Sequence, residues 1–176
     1  MKNILLLLLL GFCFAGCNED EVQTTASATS LEIVTGIFLR DVNGQPLGKL
    51  GNPNVKQDGT SFSPNPAEGQ VFIFSDTAIS TVWIVPANKN TNFPNENFSV
   101  LLENVQYEEA ELNSKSIRSF TTNGSTIFAL RIDDFPTGYY RIFYLLENGN
   151  LLWDNIYIYK DEPFSDILNR LNDDWD

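Results

Sequence analysis

The residue types that most often perform catalysis are scarce in this chain. Histidine is absent, and the two cysteines, Cys13 and Cys17, both lie near the N-terminus. Histidine is the commonest general base and metal ligand near neutral pH, so its absence excludes Ser-His-Asp catalysis, Cys-His catalysis and histidine-ligated zinc. We therefore predict a protein that is not an enzyme and that has no catalytic residues and no cofactor.

Carboxylates are abundant, with 23 Asp and Glu residues against 11 Lys and Arg residues and a formal net charge of −12. This charge repels phosphate backbones, and the basic residues form no cluster, so we predict no nucleic-acid binding. The adjacent Asp133 and Asp134 beside Pro136 are suited to calcium, which takes carboxylate and carbonyl oxygens. The alternative, under which no metal is assigned, is that the pair caps a turn and faces water. Glycoside hydrolysis needs two carboxylates across a cleft, and no pair stands out among so many.

An aromatic set near the C-terminus is a candidate partner or glycan face. Side chains alternate between the two faces of a strand, so Trp153, Tyr157 and Tyr159 share one face while Ile156 and Ile158 share the other. If the isoleucines point inward, the aromatic strip lies outward, where sugars and proteins stack on Trp and Tyr rings.

The alternative is that a C-terminal helix covers this strip. Phe164, Ile167, Leu168 and Leu171 fall at helical spacing after Pro163, which predicts a short helix at the end of the chain. In that case Phe164 and Leu168 pack on the aromatic strip.

The first residues are typical of a secretory signal peptide. Lys2 precedes an apolar run from Ile4 to Leu10, and small residues follow it. The alternative is a membrane-spanning helix, but that needs about 20 apolar residues, and the polar residues 18 to 21 end the run too early. We predict that residues 1 to 16 form the signal peptide.

The stretch Phe14-Ala15-Gly16-Cys17 resembles the lipobox of bacterial lipoproteins, although Phe14 stands where Leu is usual. The resemblance implies cleavage between Gly16 and Cys17 and attachment of a diacylglycerol to the Cys17 thiol. Burying acyl chains contributes about 0.8 kcal/mol per methylene, so two or three chains bind the membrane stably. Cys13 then leaves with the signal peptide, and the mature chain keeps no thiol for a disulfide.

Residues 17 to 30 are polar and predict a flexible tether between the membrane and the domain. The acidic run Glu19-Asp20-Glu21 resembles the surface-export signal of Bacteroidota lipoproteins, which implies an outer-membrane protein exposed on the cell surface. The alternative is an ordinary solvated linker.

Residues 31 to 176 predict a single domain of short strands separated by turns. The fold class is all-β, an Ig-like antiparallel β-sandwich of about 7 to 9 strands with a short C-terminal helix. Residues 43 to 69 hold many Gly and Pro residues and predict a loop-rich stretch, whereas residues 103 to 114 fit either a helical turn or an edge strand. The predicted strands are 32–39, 70–75, 79–85, 98–102, 116–121, 126–132, 139–146 and 151–159.

Two motifs resemble the C-terminal sorting domains of the type IX secretion system in Bacteroidota. Ser63 to Ala67 followed by Val71 to Phe74 is similar to the family's Pro-Asn-Pro opening, and Leu130 to Tyr140 is similar to its central strand, turn and Gly-x-Tyr element. The strand from Asn155 to Lys160 lies where the closing strand is expected. The resemblance implies an Ig-like sandwich and the same bacterial group. The longer middle and the chain beyond the last strand depart from the family, so a secretion tag is not implied.

Together these features predict a lipid-anchored envelope protein. Its membrane partner is bound through the lipid on Cys17, and its non-catalytic β-sandwich binds a protein or a glycan. The alternative is a structural or accessory subunit of an outer-membrane complex, for example one for glycan uptake or secretion.

Overall fold

Residues 28 to 175 are described by a computed structural model, and in this part the chain is mostly β. The strands there are β1 Ile33–Val34, β2 Gly36–Arg40, β3 Pro46–Gly51, β4 Thr60–Ser63, β5 Gln70–Lys89, β6 Arg118–Arg131, β7 Gly138–Leu146 and β8 Leu151–Ile158. The helices are α1 Phe98–Leu101, α2 Glu109–Lys115 and α3 Phe164–Trp175.

The long strand β5 is the centre of the larger sheet. Strand β6 pairs along one side of β5, while β4 and then β7 pair along the other. Strand β8 adds to β7, and β1 pairs with the end of β5. Strands β2 and β3 form a separate hairpin. The all-β sandwich-like architecture with a short C-terminal helix is thus confirmed, although β1 runs parallel to β5 and not antiparallel.

Two predicted strand breaks are irregularities inside continuous strands. Residues 70–75 and 79–85 belong to the single strand β5, and 116–121 and 126–132 fall largely within β6. The pairing of β5 with β6 shifts register between Phe74 and Ile79 and again between Ile79 and Thr81. The turn signals around Asp76 and Gly124 therefore mark places where the pairing of two continuous strands is interrupted.

Both predicted hairpins are confirmed. In the β2–β3 turn, Asp41 Oδ1 accepts hydrogen bonds from the main-chain N–H groups of Asn43 at 2.9 Å and Gln45 at 2.8 Å. Gly44 has φ of 79° there, a conformation that glycine adopts at low cost. Strands β7 and β8 pair up to Leu145 and Leu151 on either side of the second turn.

The predicted strand at 98–102 is wrong, since this segment contains helix α1. A short apolar run does not by itself distinguish a buried strand from a buried helical turn. Phe98 and Leu102 are both buried at a spacing of four residues, so the segment presents one helical face to the core. The ambiguous segment 103–114 likewise leads into helix α2.

The Pro-Asn-Pro motif joins the two sheets through Asn65. Its main chain exchanges two hydrogen bonds with Arg40 of β2, at 2.9 and 3.0 Å. Its side chain donates to the carbonyls of Phe38 and Asn155 and accepts from the N–H of Tyr157 in β8. The motif thus has a structural role in this fold.

The domain begins before the predicted limit at residue 31. Ala28 is fully buried, and the Ala28 carbonyl accepts a hydrogen bond from Asn54 Nδ2 at 3.1 Å. The Ser30 carbonyl accepts one from the buried Arg141 at 3.1 Å. Residues 28 to 30 are therefore part of the fold, and the rest of the predicted tether lies outside the described residues.

Candidate functional site

An open groove of about 720 Å³ lies between three segments that are distant in sequence. One wall is the loop from Val55 to Asp58, and a second runs from α1 to the start of α2. The third wall is the β7–β8 hairpin, including Leu145 and Leu151. A concave site of this size is where a small protein domain most often binds a ligand or a partner segment.

Part of the groove lining is apolar and accessible. The side chains concerned are half-buried, and four of the five pack against a buried hydrophobic cluster while part of their carbon surface remains accessible at the groove. They are Val55, Val105, Tyr107, Leu145 and Leu151. Covering such surface with an apolar ligand group contributes about 25 cal/mol per Å².

The main chain of Lys56 is hydrogen-bonded to strand β8, which lies beneath the groove. Its main chain exchanges hydrogen bonds with Trp153 of β8, at 3.0 and 2.9 Å. The Lys56 ammonium lies 5.6 Å from the centre of the Trp153 ring and donates to the Glu103 carbonyl at 3.3 Å. The lysine is therefore already engaged by a cation–π contact and a main-chain acceptor.

Tyr107 connects the groove to the point where the chain enters the domain. Its ring packs edge-on against Phe143 and Trp153, with centroids 5.3 and 5.1 Å apart. Its hydroxyl donates to the Thr29 carbonyl at 2.5 Å. Burial raises the pKa of Tyr107 above its ordinary value, so the phenol is neutral and acts as a donor.

The groove is strongly acidic. Its lining includes four exposed carboxylates, on Asp58, Glu103, Glu108 and Glu109. None of the four belongs to an ion pair with any residue from 28 to 175. The positive charge of Lys56 offsets only one of these four carboxylates, so the site presents an excess of negative charge to any ligand.

The prediction that the aromatic strip faces outward is wrong. The alternative, in which helix α3 covers the strip, holds for Tyr157 and Tyr159 but not for Trp153. Trp153, Tyr157 and Tyr159 are 0%, 7% and 8% exposed. Tyr157 and Tyr159 pack in a cluster with residues of α3, including Leu168. The centroids of the Tyr159 and Phe164 rings lie 6.4 Å apart.

Trp153 belongs to a different cluster from the two tyrosines. It lies beneath Lys56 and Tyr107, next to Phe143. Its indole N–H donates to the Asn54 carbonyl at 3.0 Å. The aromatic side chains of β8 are thus covered by two unrelated parts of the chain, while the isoleucines of β8 face the central core as predicted.

A buried arginine holds the N-terminal segment in place. Arg141 of β7 is fully buried, and it donates to the carbonyls of Ser30 at 3.1 Å and Ile33 at 2.5 Å. It also donates to Asn155 Oδ1 at 2.9 Å. Burial lowers the pKa of Arg141 to about 10, so the guanidinium stays charged at neutral pH and satisfies acceptors that water cannot reach.

A second buried charge, Asp154, lies next to Arg141 in the network. The Asp154 carboxylate accepts hydrogen bonds from Arg40 at 3.2 Å, from Gln57 Nε2, and from the main-chain N–H of Asn155 at 2.7 Å. Burial nevertheless outweighs the attraction of Arg40 and raises the pKa of Asp154 to about 6. The carboxylate is therefore charged at pH 7 at a cost to folding.

We expect Asp154 to make the protein less stable as pH rises. Its pKa is about 6 in the folded state against 3.8 as an ordinary carboxyl, so the folded state binds the proton more tightly. The resulting stability is fully present below about pH 4 and is lost as pH rises through 6. We expect the free energy of unfolding, measured with urea, to fall as pH rises from below about 4 to 7. The fall should be larger in the wild type than in Asp154→Asn by roughly 3 kcal/mol.

An exposed carboxylate provides the control for this pH effect. Asp173 of α3 is exposed, so Asp173→Asn should keep the pH dependence of the wild type. Equal slopes for the wild type and Asp154→Asn between pH 4 and pH 7 would contradict the assignment to Asp154.

The Asp133 and Asp134 pair is engaged with arginines. Asp133 Oδ2 lies 3.2 Å from Arg131, and Asp134 Oδ2 lies 2.7 Å from Arg118. The hydrogen bond from Arg118 lowers the pKa of Asp134. Both carboxylates thus belong to surface ion pairs, with side chains that are 55% and 60% exposed. Among residues 28 to 175, no group of three or more His, Cys, Asp or Glu side chains is placed to hold a metal.

The predicted lipid-attachment and cleavage residues, Cys17 and Gly16, lie outside the described residues. Within residues 28 to 175, no helix is both long and apolar enough to cross a membrane. The anchor therefore stays a prediction from the N-terminal motif.

Sequence reasoning missed the groove and the buried polar network. The network has a visible signal: Arg141 interrupts the run Tyr139 to Leu146, and Asp154 and Asn155 interrupt the run Leu151 to Ile158. Charged residues are almost never fully buried unless paired, so such interruptions in strands that are otherwise apolar point to a buried network. The groove has no local signal, because its walls are three separate segments.

Comparison with known proteins shows no family for this chain. No family model matches it, and no curated protein matches it. Among solved structures it is similar to the crystal structure of the PmoD soluble domain from a Methylocystis species, with 10% sequence identity and a TM-score of 0.36 over 60% of this chain and 97% of that one. A likeness at this level carries no argument about what the chain does.

Proposed function

We propose that this chain is a lipid-anchored protein of the bacterial envelope whose β domain binds a partner without catalysis. The observation that carries the binding role is the groove, which combines accessible apolar surface with four exposed carboxylates. The lipobox-like motif that ends at Cys17 supports the anchor. The place of action is the outer membrane, with the domain exposed on the cell surface.

The position of the chain entry supports a link between anchor and groove. Thr29, close to the end of the tether, accepts a hydrogen bond from Tyr107, which lines the groove. Arg141 fixes the next turn of the chain at Ser30 and Ile33. A partner in the groove would therefore be held close to the point where the tether joins the domain.

The binding role can be tested by blocking the groove in the full-length protein. Val105 lines the groove, and Val105→Lys would place a long charged side chain in it. We expect a partner that co-purifies from membranes solubilised in mild detergent to be lost from this variant. Val42 in the β2–β3 turn is 73% exposed and does not line the groove, so Val42→Lys should retain the partner.

The outcome of this co-purification decides between two roles. A protein that is lost only with Val105→Lys supports binding through the groove. A stable stoichiometric set of envelope proteins that survives Val105→Lys favours the accessory-subunit alternative and contradicts the groove as the site. Protease treatment of intact cells tests exposure: digestion of the domain supports a surface location, and protection contradicts it.

A further inference from the structure

We propose that the groove binds a basic polypeptide segment that carries both Lys or Arg residues and aliphatic residues. This inference rests on the proposed function of the groove as a binding site and names the chemistry of its occupant. Charge, lining and the identity of the neighbouring chain segments each support it.

The charges of the groove match a cationic ligand. Glu103, Glu108 and Glu109 follow one another along the second wall, and Asp58 lies on the first wall. The ammonium of Lys56, which is the one lysine among the described residues that line the groove, is bound to the Glu103 carbonyl and the Trp153 ring. A basic ligand gains attraction from all four carboxylates, whereas an acidic ligand is repelled by them.

The apolar lining matches aliphatic side chains better than a sugar ring. Sugars are bound most effectively on the flat face of an exposed aromatic ring. Here the Trp153 ring is fully buried, and Tyr107 is fixed by edge contacts and by its hydrogen bond to Thr29. The remaining accessible carbon surface is aliphatic, on Val55, Val105 and two leucines of the hairpin.

Segments of this protein itself are unsuitable occupants. The predicted tether carries Glu19, Asp20 and Glu21 near its start, and the groove carboxylates repel these charges. A second copy of the chain brings a formal net charge of −12 toward an acidic site. Charge complementarity therefore points to a different, basic protein.

The test uses the full chain purified from membranes in mild detergent. Fluorescence anisotropy measures its affinity for a short labelled peptide in which Lys alternates with Leu. Matched peptides carry Glu in place of Lys or Ser in place of Leu, and maltohexaose is the uncharged sugar probe. We expect the Lys-Leu peptide to bind, the Ser variant to bind about tenfold more weakly, and the Glu peptide and the sugar not to bind.

Charge substitutions assign the binding to the groove. Glu103→Lys should weaken binding of the Lys-Leu peptide about tenfold, whereas Asp173→Lys on the exposed face of α3 should leave the affinity for this peptide unchanged. If Glu103→Lys fails to fold, Glu108→Gln removes a groove charge without changing shape and should weaken binding in the same direction. Affinity should also fall between about 0.1 M and 1 M salt, as the screening length shortens from about 10 Å to about 3 Å.

Three results would overturn the inference without removing the proposed function. The first is binding of the Glu peptide or the sugar that Val105→Lys abolishes. The second is failure of the Lys-Leu peptide to bind while Val105→Lys still loses a membrane partner. The third is equal weakening by Glu103→Lys and Asp173→Lys, which would show attraction to the whole acidic chain. If Val105→Lys loses no partner and blocks no probe, the proposed function fails as well.

Discussion

Cys17→Ala is expected to abolish incorporation of a labelled fatty acid and to prevent cleavage between Gly16 and Cys17. Because the thiol is the attachment point that the lipobox resemblance implies, its removal leaves no acyl chain to partition into the bilayer. We expect the protein to disappear from the outer-membrane fraction. Metabolic labelling, the mass of the N-terminal peptide and membrane fractionation check this result.

The other cysteine, Cys13, is the matched control for this experiment. Cys13 lies within the predicted signal peptide, so Cys13→Ala should keep labelling, cleavage and outer-membrane location. A Cys17→Ala protein that is cleaved normally and stays with washed outer membranes would contradict the lipid anchor.

Arg141→Met is expected to lower the free energy of unfolding by about 3 to 5 kcal/mol. The substitution keeps much of the side-chain volume but leaves the carbonyls of Ser30 and Ile33 and the Asn155 amide oxygen without their buried donor. An unsatisfied buried acceptor costs about 1 to 3 kcal/mol. Urea unfolding gives the free energy, and the melting temperature should fall by roughly 10 °C.

An exposed arginine separates this effect from loss of charge. Arg131 in β6 has a side chain that is 83% exposed and pairs with Asp133, so Arg131→Met should cost less than about 1 kcal/mol. Protease sensitivity adds a local measurement: in Arg141→Met the segment from Ala28 to Val34 should be cut before the rest of the domain. If the two variants have equal stability, the N-terminal segment does not depend on Arg141.

Local sequence determined the turns and the last helix. Asn43-Gly44 and the segment from Glu147 to Asn150 make their hairpins because these residues tolerate positive φ and bond to nearby main chain. Pro163 and the apolar spacing that follows it determine helix α3, which extends to Trp175. These features depend on residues a few positions apart, so a single sequence suffices to predict them.

Neighbouring strands decided the extent of β5 and β6. The signals at Asp76 and Gly124 indicate a local change of direction, but each lies within a strand that continues beyond it. Pairing with β4, β7 and β6 on both sides of β5 holds the strand together through the bulge. Such pairing joins residues far apart in sequence, so no local pattern reports it.

The sequence by itself showed that histidine is absent, and it contains the lipobox-like motif at Cys17. It also showed, through the alternation of side chains along β8, that Ile156 faces away from Trp153 and Tyr157. Only the tertiary structure decided that both aromatic side chains are covered, because α3 and the segment around Lys56 reach β8 from distant parts of the chain. Alternation shows that two sets of side chains face opposite ways, but burial depends on what packs against each set. The groove arises for the same reason, since its three walls meet only when the chain is folded.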